Sequence, residues 1–253
     1  MKVFYNLNDW IQFRKSNLNN DFSLGFIPTM GALHEGHLSL MRNSLKQCER
    51  TVVSVFINPT QFNDSQDLKN YPIDIEEDLD KLESLGVDYV LVPQKEMLYP
   101  DGYRYKLTES EFSKKLCGKD RPGHFDGVLT VVMKLLQVVK PNKAYFGEKD
   151  YQQYLLVKEM AKAFFLDIEI VAGETVRESD GLAMSSRNLL LTQKQRETAA
   201  DFHKILSKNK NTNKLKQELT QSGFEVDYVE QECSRKLAAV RLGKVRLIDN
   251  VKN

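Results

Sequence analysis

Long apolar runs are missing from this 253-residue chain. No stretch approaches the roughly 20 apolar residues that cross a bilayer, and the amino-terminal MKVFYNLNDWIQFRKS lacks the continuous apolar segment of a secretory signal. Both absences predict a protein with no membrane association, neither embedded nor exported, and therefore cytoplasmic. A surplus of either charge is missing too: Lys and Arg number 36 against 35 Asp and Glu, a net charge of +1. No basic block offsets that balance locally, which disfavours nucleic acid or a membrane surface as partner. Cysteine is scarce, and Cys48, Cys117 and Cys233 form no CxxC pair. Their odd number argues against a disulfide framework and for a reducing compartment. Internal repeats and low-complexity linkers are absent. What remains is a chain long enough to bury one large core or two unequal ones.

Alternation fills that length. An apolar run ending at Ile27 meets the glycine-bounded turn TMGALHEGH, after which Leu38, Leu40, Met41 and Leu45 recur at roughly helical spacing; the β-branched run TVVSVFIN follows at 51–58. Strand, turn, helix and buried strand are the units of a parallel sheet covered on both faces. The segment IDIEEDLDKLESLG has a capping candidate in Asp74 and a stopping glycine in Gly86, and VDYVLVP reads as the next strand. A strongly apolar helix closed by Pro141, the strand KAYFG, the helix YQQYLLVKEMAKAFF and the strand DIEIVAGET continue the pattern. The expected fold is therefore α/β: a doubly wound, Rossmann-like parallel sheet over residues 1–176. Residues 177–253 change character, with a helix opened by Thr192, a polar lysine-rich stretch and a few further elements, enough for a small α+β carboxyl-terminal domain.

In open α/β sheets ligands bind where strands end, so the turns after strands are the candidate sites. In the first, Gly31 and Gly36 let backbone approach a ligand, and His34 and His37 stand where a helix begins, a position that attracts phosphate. Zinc is the rival explanation, but these histidines are i and i+3 rather than the i and i+4 of HExxH, and no cysteine lies near. The second turn, FINPTQFNDS, supplies Asn58, Gln61 and Asn63, carboxamides suited either to a small hydroxy acid or to ordinary turn chemistry. Glu76, Glu77, Asp78 and Asp80 open a helix, where acids face the helix dipole or lie near a magnesium ion. GKDRPGHFDG holds Lys119, Arg121 and His124 in what reads as a phosphate or carboxylate loop. In FGEKDYQQ, Gly147 permits close approach, Lys149 can neutralise a phosphate, and Asp150 and Gln153 sit at a helix start. Ser185, Ser186 and Arg187 in ESDGLAMSSRN combine hydroxyls with a guanidinium, either a polyphosphate clamp or a simple turn.

Taken together, PTMGALHEGH, FINPTQF, RPGHFDGV, FGEKDYQQ and MSSRN, in this order from Ile27 to Asn188 and with RLIDN near the carboxyl end, resemble the pantothenate synthetases. These are the pantoate:β-alanine ligases of the HIGH-type nucleotidyltransferase superfamily. The resemblance implies a small carboxyl-terminal lid, a homodimer, and a two-step reaction in which ATP and Mg²⁺ convert pantoate to pantoyl adenylate before β-alanine displaces AMP. It assigns His34 and His37 to the ATP phosphates, with His37 as proton donor, and makes His34, His37, Lys149 and Arg187 the catalytic group. Met30, Gly31, Ala32, Leu33, His34, Glu35, Gly36 and His37 would line the nucleotide, with Gly147, Glu148, Lys149 and Asp150 covering it. Lys149 would meet phosphate and Asp150 ribose. Val176 would touch adenine through its backbone, and Met184, Ser185, Ser186 and Arg187 would form the closing loop. Gln61 and Gln153 would grip pantoate, assisted by Asn58, and Asp78 is the expected magnesium-linked carboxylate. Two features depart from the family pattern: Ile73 where arginine is common, and a carboxyl-terminal domain that looks short. The rival readings are a relative that adenylates a different small acid, and a noncatalytic nucleotide sensor or RNA-binding relative.

Overall fold

The computed structural model describes residues 1–18, 22–63, 68–69, 71, 74–232 and 234–252. Ile73 and Cys233 lie outside the described residues. By its contacts the chain divides into two compact units. The first comprises Met1–Leu33, His37–Gly147 and Gln152–Gly173; the second comprises His34–Gly36, Glu148–Tyr151 and Glu174–Asn253.

The first unit is built on six strands: β1 (Lys2–Phe4), β2 (Leu24–Thr29), β3 (Arg50–Val55), β4 (Tyr89–Leu91), β5 (Lys143–Gly147) and β6 (Glu169–Gly173). They lie in the order β1-β4-β3-β2-β5-β6, and every pairing is parallel. Crossover helices are α1 (Leu7–Asn17), α2 (Glu35–Gln47), α3 (Ile75–Leu85), the short α4 (Lys95–Leu98) and α5 (Cys117–Asp120), α6 (His124–Val139) and α7 (Tyr151–Ala163). The chain leaves β2 toward β3 on one side, and β5 leads to β6 on the other. The β2–β5 neighbourhood is thus the switch point of the sheet, where such folds bind ligands beyond the strand ends.

Local chemistry sets these elements. The Asp74 carboxylate accepts from the Glu77 amide to cap α3, and Gly86 ends it at φ +84°. Ile27, Val53, Val55, Val90, Leu82 and Met41 form a continuous core between sheet and helices, each large side chain contributing about 1.5–3 kcal/mol on full burial. A Cβ on Gly25 would come within 2.0 Å of Ser44 Oγ, so β2 and α2 touch through bare backbone there. Two elements carried no signal in the sequence. β1 is only three residues long and α1 has few apolar positions. Their anchor is tertiary: Trp10 is wholly buried, packs edge-on against Phe4 and tilted against Tyr89, and donates from its indole to Val138 O at 3.2 Å.

The second unit pairs three antiparallel strands, β7 (Glu225–Glu232), β8 (Arg235–Leu242) and β9 (Val245–Lys252), in the order β7-β8-β9. Three helices, α8 (Gln193–Ala199), α9 (Asp201–Leu206) and α10 (Thr212–Gln221), complete it. Thr192 opens α8 through a capping box with Gln195. Phe202, Leu206, Leu215, Leu219, Phe224, Ala238, Val240 and Leu247 form its own core. The lysine-rich stretch is α10 with its lead-in, its lysines on the outer face, where Lys208 and Lys210 both pair with Glu218. No helix of the described residues is long and apolar enough to cross a membrane.

Candidate active site

In the first unit the turn after β2 is held in an unfavourable backbone shape. Gly31 has φ +81° and Ala32 φ +52°, the left-handed region that costs a residue with a Cβ about 1–2 kcal/mol. One carboxylate offsets this: Asp78 Oδ2 accepts from the Ala32 amide at 2.8 Å and Oδ1 from the Leu33 amide at 2.7 Å. Lys81 Nζ donates to Leu33 O at 2.9 Å from the same helix, α3. Asp78 is 1 % exposed. Burial pushes its carboxyl above the ordinary value, against the pull of the Leu33 and Ala32 amides. Asp78, the expected magnesium-linked carboxylate, thus gives each oxygen to a backbone amide of the turn and is buried. Among the described residues no group of three or more His, Cys, Asp or Glu is placed to hold a metal ion.

The turn after β3 fixes a single carboxamide. Asn58 caps the short 3-10 helix Pro59–Gln61 and is 1 % exposed. Its Oδ1 accepts from the Thr60 hydroxyl at 2.9 Å and from Tyr99 Oη at 2.8 Å, and its Nδ2 donates to Gln61 Oε1 at 3.0 Å and Gly127 O at 3.1 Å. Burial pushes the Tyr99 phenol up to about 12, so it stays a protonated donor. With its hydrogen-bonding groups engaged inside the protein, Asn58 positions Gln61 rather than presenting itself to a ligand. Gln61 Oε1 accepts from Asn58 Nδ2, and its Nε2 donates to Met30 Sδ at 2.9 Å. The side chain is thereby set as a donor, suited to a carboxylate or hydroxyl oxygen. Gly127 on α6 lies against this turn; a Cβ there would sit 2.5 Å from Thr60 O and 2.8 Å from Gln61 N.

Arg121 and His124, which read as phosphate or carboxylate contacts, reach inward to the same turn. His124 Nδ1 donates to Gln61 O at 2.8 Å, Arg121 Nη2 donates to the same oxygen at 3.3 Å, and Arg121 Nη1 donates to His124 Nε2 at 3.1 Å. Asn63 donates to Pro122 O at 2.7 Å, a loop-to-loop tie. His37, in the first turn of α2, and Gln153, in the first turn of α7, are half-buried members of this unit. Gln152, absent from the sequence reading, is buried. It accepts from the Cys117 amide at 3.1 Å and donates to Phe112 O and Lys115 O at 2.8 Å each, stapling the segment that contains left-handed Leu116.

The second unit gathers the other candidates. His34 Nδ1 accepts from the Gly36 amide at 3.1 Å, which places the proton of the neutral ring on Nε2. A Cβ on Gly36 would lie 4.0 Å from Met184 Cβ, which sets the HIGH-like and MSSRN segments side by side. Met184 N donates to Val176 O at 3.0 Å, so that carbonyl is already engaged. Ser185 Oγ accepts from the Arg187 amide at 3.3 Å. The buried Asn188 donates to Glu178 Oε1 at 2.7 Å and Ala183 O at 3.1 Å, closing the loop on itself. Below it, Asp249 receives both Arg177 guanidinium nitrogens, at 2.7 and 2.9 Å, and His203 Nδ1 at 3.0 Å. Burial works to raise the Asp249 carboxyl, but hydrogen bonds from His203 and Arg177 outweigh it and hold the group below its ordinary value. The turn Glu148–Asp150 places Lys149 Nζ 4.0 Å from Asp150 Oδ2. RLIDN was legible as a motif, but Asp249 and Asn250 act through partners far away in sequence, which no spacing reveals.

Comparison with known proteins gives the family. A family model described as pantoate-beta-alanine ligase matches residues 2–252. The chain is 52 % identical over 250 residues to a pantothenate synthetase of Legionella pneumophila, covering 99 % of each chain, and 52 % identical to one of Coxiella burnetii, covering 99 % of this chain and 96 % of that one. A crystal structure of pantoate-beta-alanine ligase from Francisella tularensis, complexed with beta-gamma ATP and beta-alanine, superposes with a TM-score of 0.95 at 40 % identity, covering 100 % of this chain and 97 % of that one. Pantothenate synthetase from Thermus thermophilus gives 0.90 at 34 % identity over 100 % and 99 %. The chain spans 96–99 % of the length of these relatives. Match over the whole chain, in sequence and in fold, makes this protein a member of the pantoate-beta-alanine ligase family.

Proposed function

We propose that this protein joins pantoate to β-alanine at the expense of ATP through an enzyme-bound pantoyl adenylate. A pantoate carboxylate oxygen attacks the α-phosphorus of ATP and pyrophosphate leaves; the β-alanine amine then attacks the acyl carbon, AMP leaves with its electron pair, and pantothenate forms. The observation that carries the acid-binding part is the Gln61 carboxamide, fixed through its oxygen by Asn58 and through its nitrogen by Met30 Sδ, which leaves its second amide hydrogen as a preset donor. A fixed donor of that kind meets a hydroxy acid without further ordering, and Gln153 supplies the second amide.

On the nucleotide side, the turn Met30 to Leu33, with His34, Glu35, Gly36 and His37, receives the phosphates. His34 and His37 meet the phosphates, with His37 as proton donor to the leaving phosphate. Gly147 to Asp150 cover the nucleotide, with Lys149 on phosphate and Asp150 on ribose. Val176 contacts adenine through its backbone, and Met184 to Arg187 close over the phosphates, the Arg187 guanidinium adding charge. Adenylation accumulates negative charge around one phosphorus, so positioning and preorganised positive charge supply most of the acceleration. Magnesium fits as an ion carried by the phosphates of ATP, since Asp78 is committed to the turn. A cytoplasmic homodimer is the proposed working form.

The test is product analysis. Purified protein with ATP and Mg²⁺ should release pyrophosphate only when pantoate is added and should turn over only with β-alanine. Equal release with unrelated hydroxy acids would favour a relative of different specificity, and ATP binding without any pyrophosphate would favour a sensor.

A further inference from the structure

We propose that Arg235, on β8, is a positioning residue for Lys149, acting with Asn250 on β9 to hold the turn that carries the lysine. Resting on the reading that Lys149 meets ATP phosphate, the inference concerns how that ammonium is kept in place. Five contacts within the second unit define the clamp. Arg235 Nη2 donates to Glu148 Oε1 at 2.6 Å and Nη1 to Asn250 Oδ1 at 2.7 Å. The guanidinium carbon stands 4.2 Å from the centre of the Tyr151 ring. Asn250 Nδ2 in turn donates to Glu148 O at 2.8 Å and Lys149 O at 3.1 Å. Residues 148, 149 and 151 are thus each held by one guanidinium–carboxamide pair from adjacent strands.

The chemistry selects arginine. One planar fork must satisfy a carboxylate and an amide oxygen while stacking on a ring, and an ammonium can neither fork nor stack in that way. The Arg235 side chain is 8 % exposed and that of Glu148 18 %. Buried ion pairs often return little net stability once desolvation is counted, so folding alone gives weak reason for this one. What the clamp does provide is a fixed Lys149 carbonyl, and hence a fixed starting direction for a four-carbon stem whose free rotation would otherwise spread its charge over a wide arc. No motif of the sequence contains Arg235, and its partners are 15 and 87 residues away.

The experiment is steady-state pyrophosphate release by the full-length R235K variant, with ATP and pantoate varied separately and thermal unfolding measured alongside. The expected result is a roughly tenfold rise in KM for ATP, or a comparable fall in kcat, with KM for pantoate within twofold of the parent and unfolding shifted by only a few degrees. N250A, which keeps the Arg235–Glu148 pair but removes the two carbonyl contacts and the acceptor of Arg235 Nη1, serves as the second variant and should move the ATP parameters in the same direction. Folded R235K and N250A with parental ATP parameters, or with ATP and pantoate parameters rising together, would overturn the proposal. K149A is run in parallel: if it too leaves the ATP parameters unchanged, the assignment of Lys149 fails and the inference with it, whereas a strong K149A defect beside silent clamp variants defeats the inference alone.

Discussion

Replacing Asp78 by asparagine separates two roles that a carboxylate at this position can play. Its two oxygens lie 2.8 and 2.7 Å from the amides of Ala32 and Leu33, and it is 1 % exposed. Asparagine keeps one acceptor and turns an NH₂ toward the other amide, so one bond to a charged acceptor, worth about 1.5–3 kcal/mol, is lost and a buried N–H is left facing a donor. Relief from burying a charge, the effect that raises the Asp78 carboxyl, offsets part of this. The expected net loss is about 2 kcal/mol, or roughly 4–8 °C in the unfolding midpoint of a chain this size. Ala32 then has no compensation for its φ of +52°, and the turn relaxes toward ordinary backbone. Loss of about 1–2 kcal/mol of preorganisation corresponds to a roughly tenfold weaker apparent affinity for ATP. Urea unfolding, ATP titration and magnesium titration of parent and D78N measure these together. An unchanged unfolding midpoint with a raised magnesium requirement would refute the reasoning and restore Asp78 as a metal ligand.

Gly127→Ala forces a Cβ to within 2.5 Å of Thr60 O. The Asn58–Gln61 turn must shift, so KM for pantoate should rise about tenfold at a stability cost of about 1–3 kcal/mol, and unaltered pantoate kinetics would count against the placement of Gln61. His37→Ala should fold normally and lose pyrophosphate release by about 10²–10⁴-fold; activity within a few-fold of the parent removes His37 from the chemistry. Asp249 makes stability depend on pH. Its carboxyl is depressed in the fold, so its contribution is present above the unfolded value near 3.8 and is lost as pH falls through the folded value. The unfolding midpoint of the parent should therefore fall on acidification below about pH 4. D249N should unfold earlier at neutral pH, by about 3–5 kcal/mol because Arg177 loses its counter-charge, and should show a shallower acid limb; parallel curves for the two proteins would be the contrary result.

Periodic, local features were readable from the chain alone. The β-branched run of β3, the Asp74 cap and Gly86 stop of α3, and the Thr192 capping box express short-range chemistry, and they stand where the sequence puts them. Features made by long-range contact were not. β1 and α1 exist because Trp10 finds Phe4, Tyr89 and the Val138 carbonyl, the last 128 residues away. Within the candidate site, residue type marked Gln61 and Lys149 as polar groups at strand ends, but it was silent on which side chains face ligand and which face protein. Asn58, Arg121, His124 and Asp78 were all candidates for ligand contact in the sequence, yet each makes hydrogen bonds to a neighbouring turn. Arg235 lay outside every motif, since a clamp between a strand and a distant turn leaves no local spacing to recognise.

The most direct measurement of the proposed chemistry follows oxygen. Pantoate labelled with ¹⁸O in both carboxyl positions is turned over with unlabelled ATP and β-alanine, and the products are weighed by mass spectrometry. Attack of the carboxylate on the α-phosphorus predicts one heavy oxygen in AMP and one in the amide of pantothenate, with unlabelled pyrophosphate. Heavy oxygen in inorganic phosphate, or AMP formed without label, would contradict an acyl adenylate.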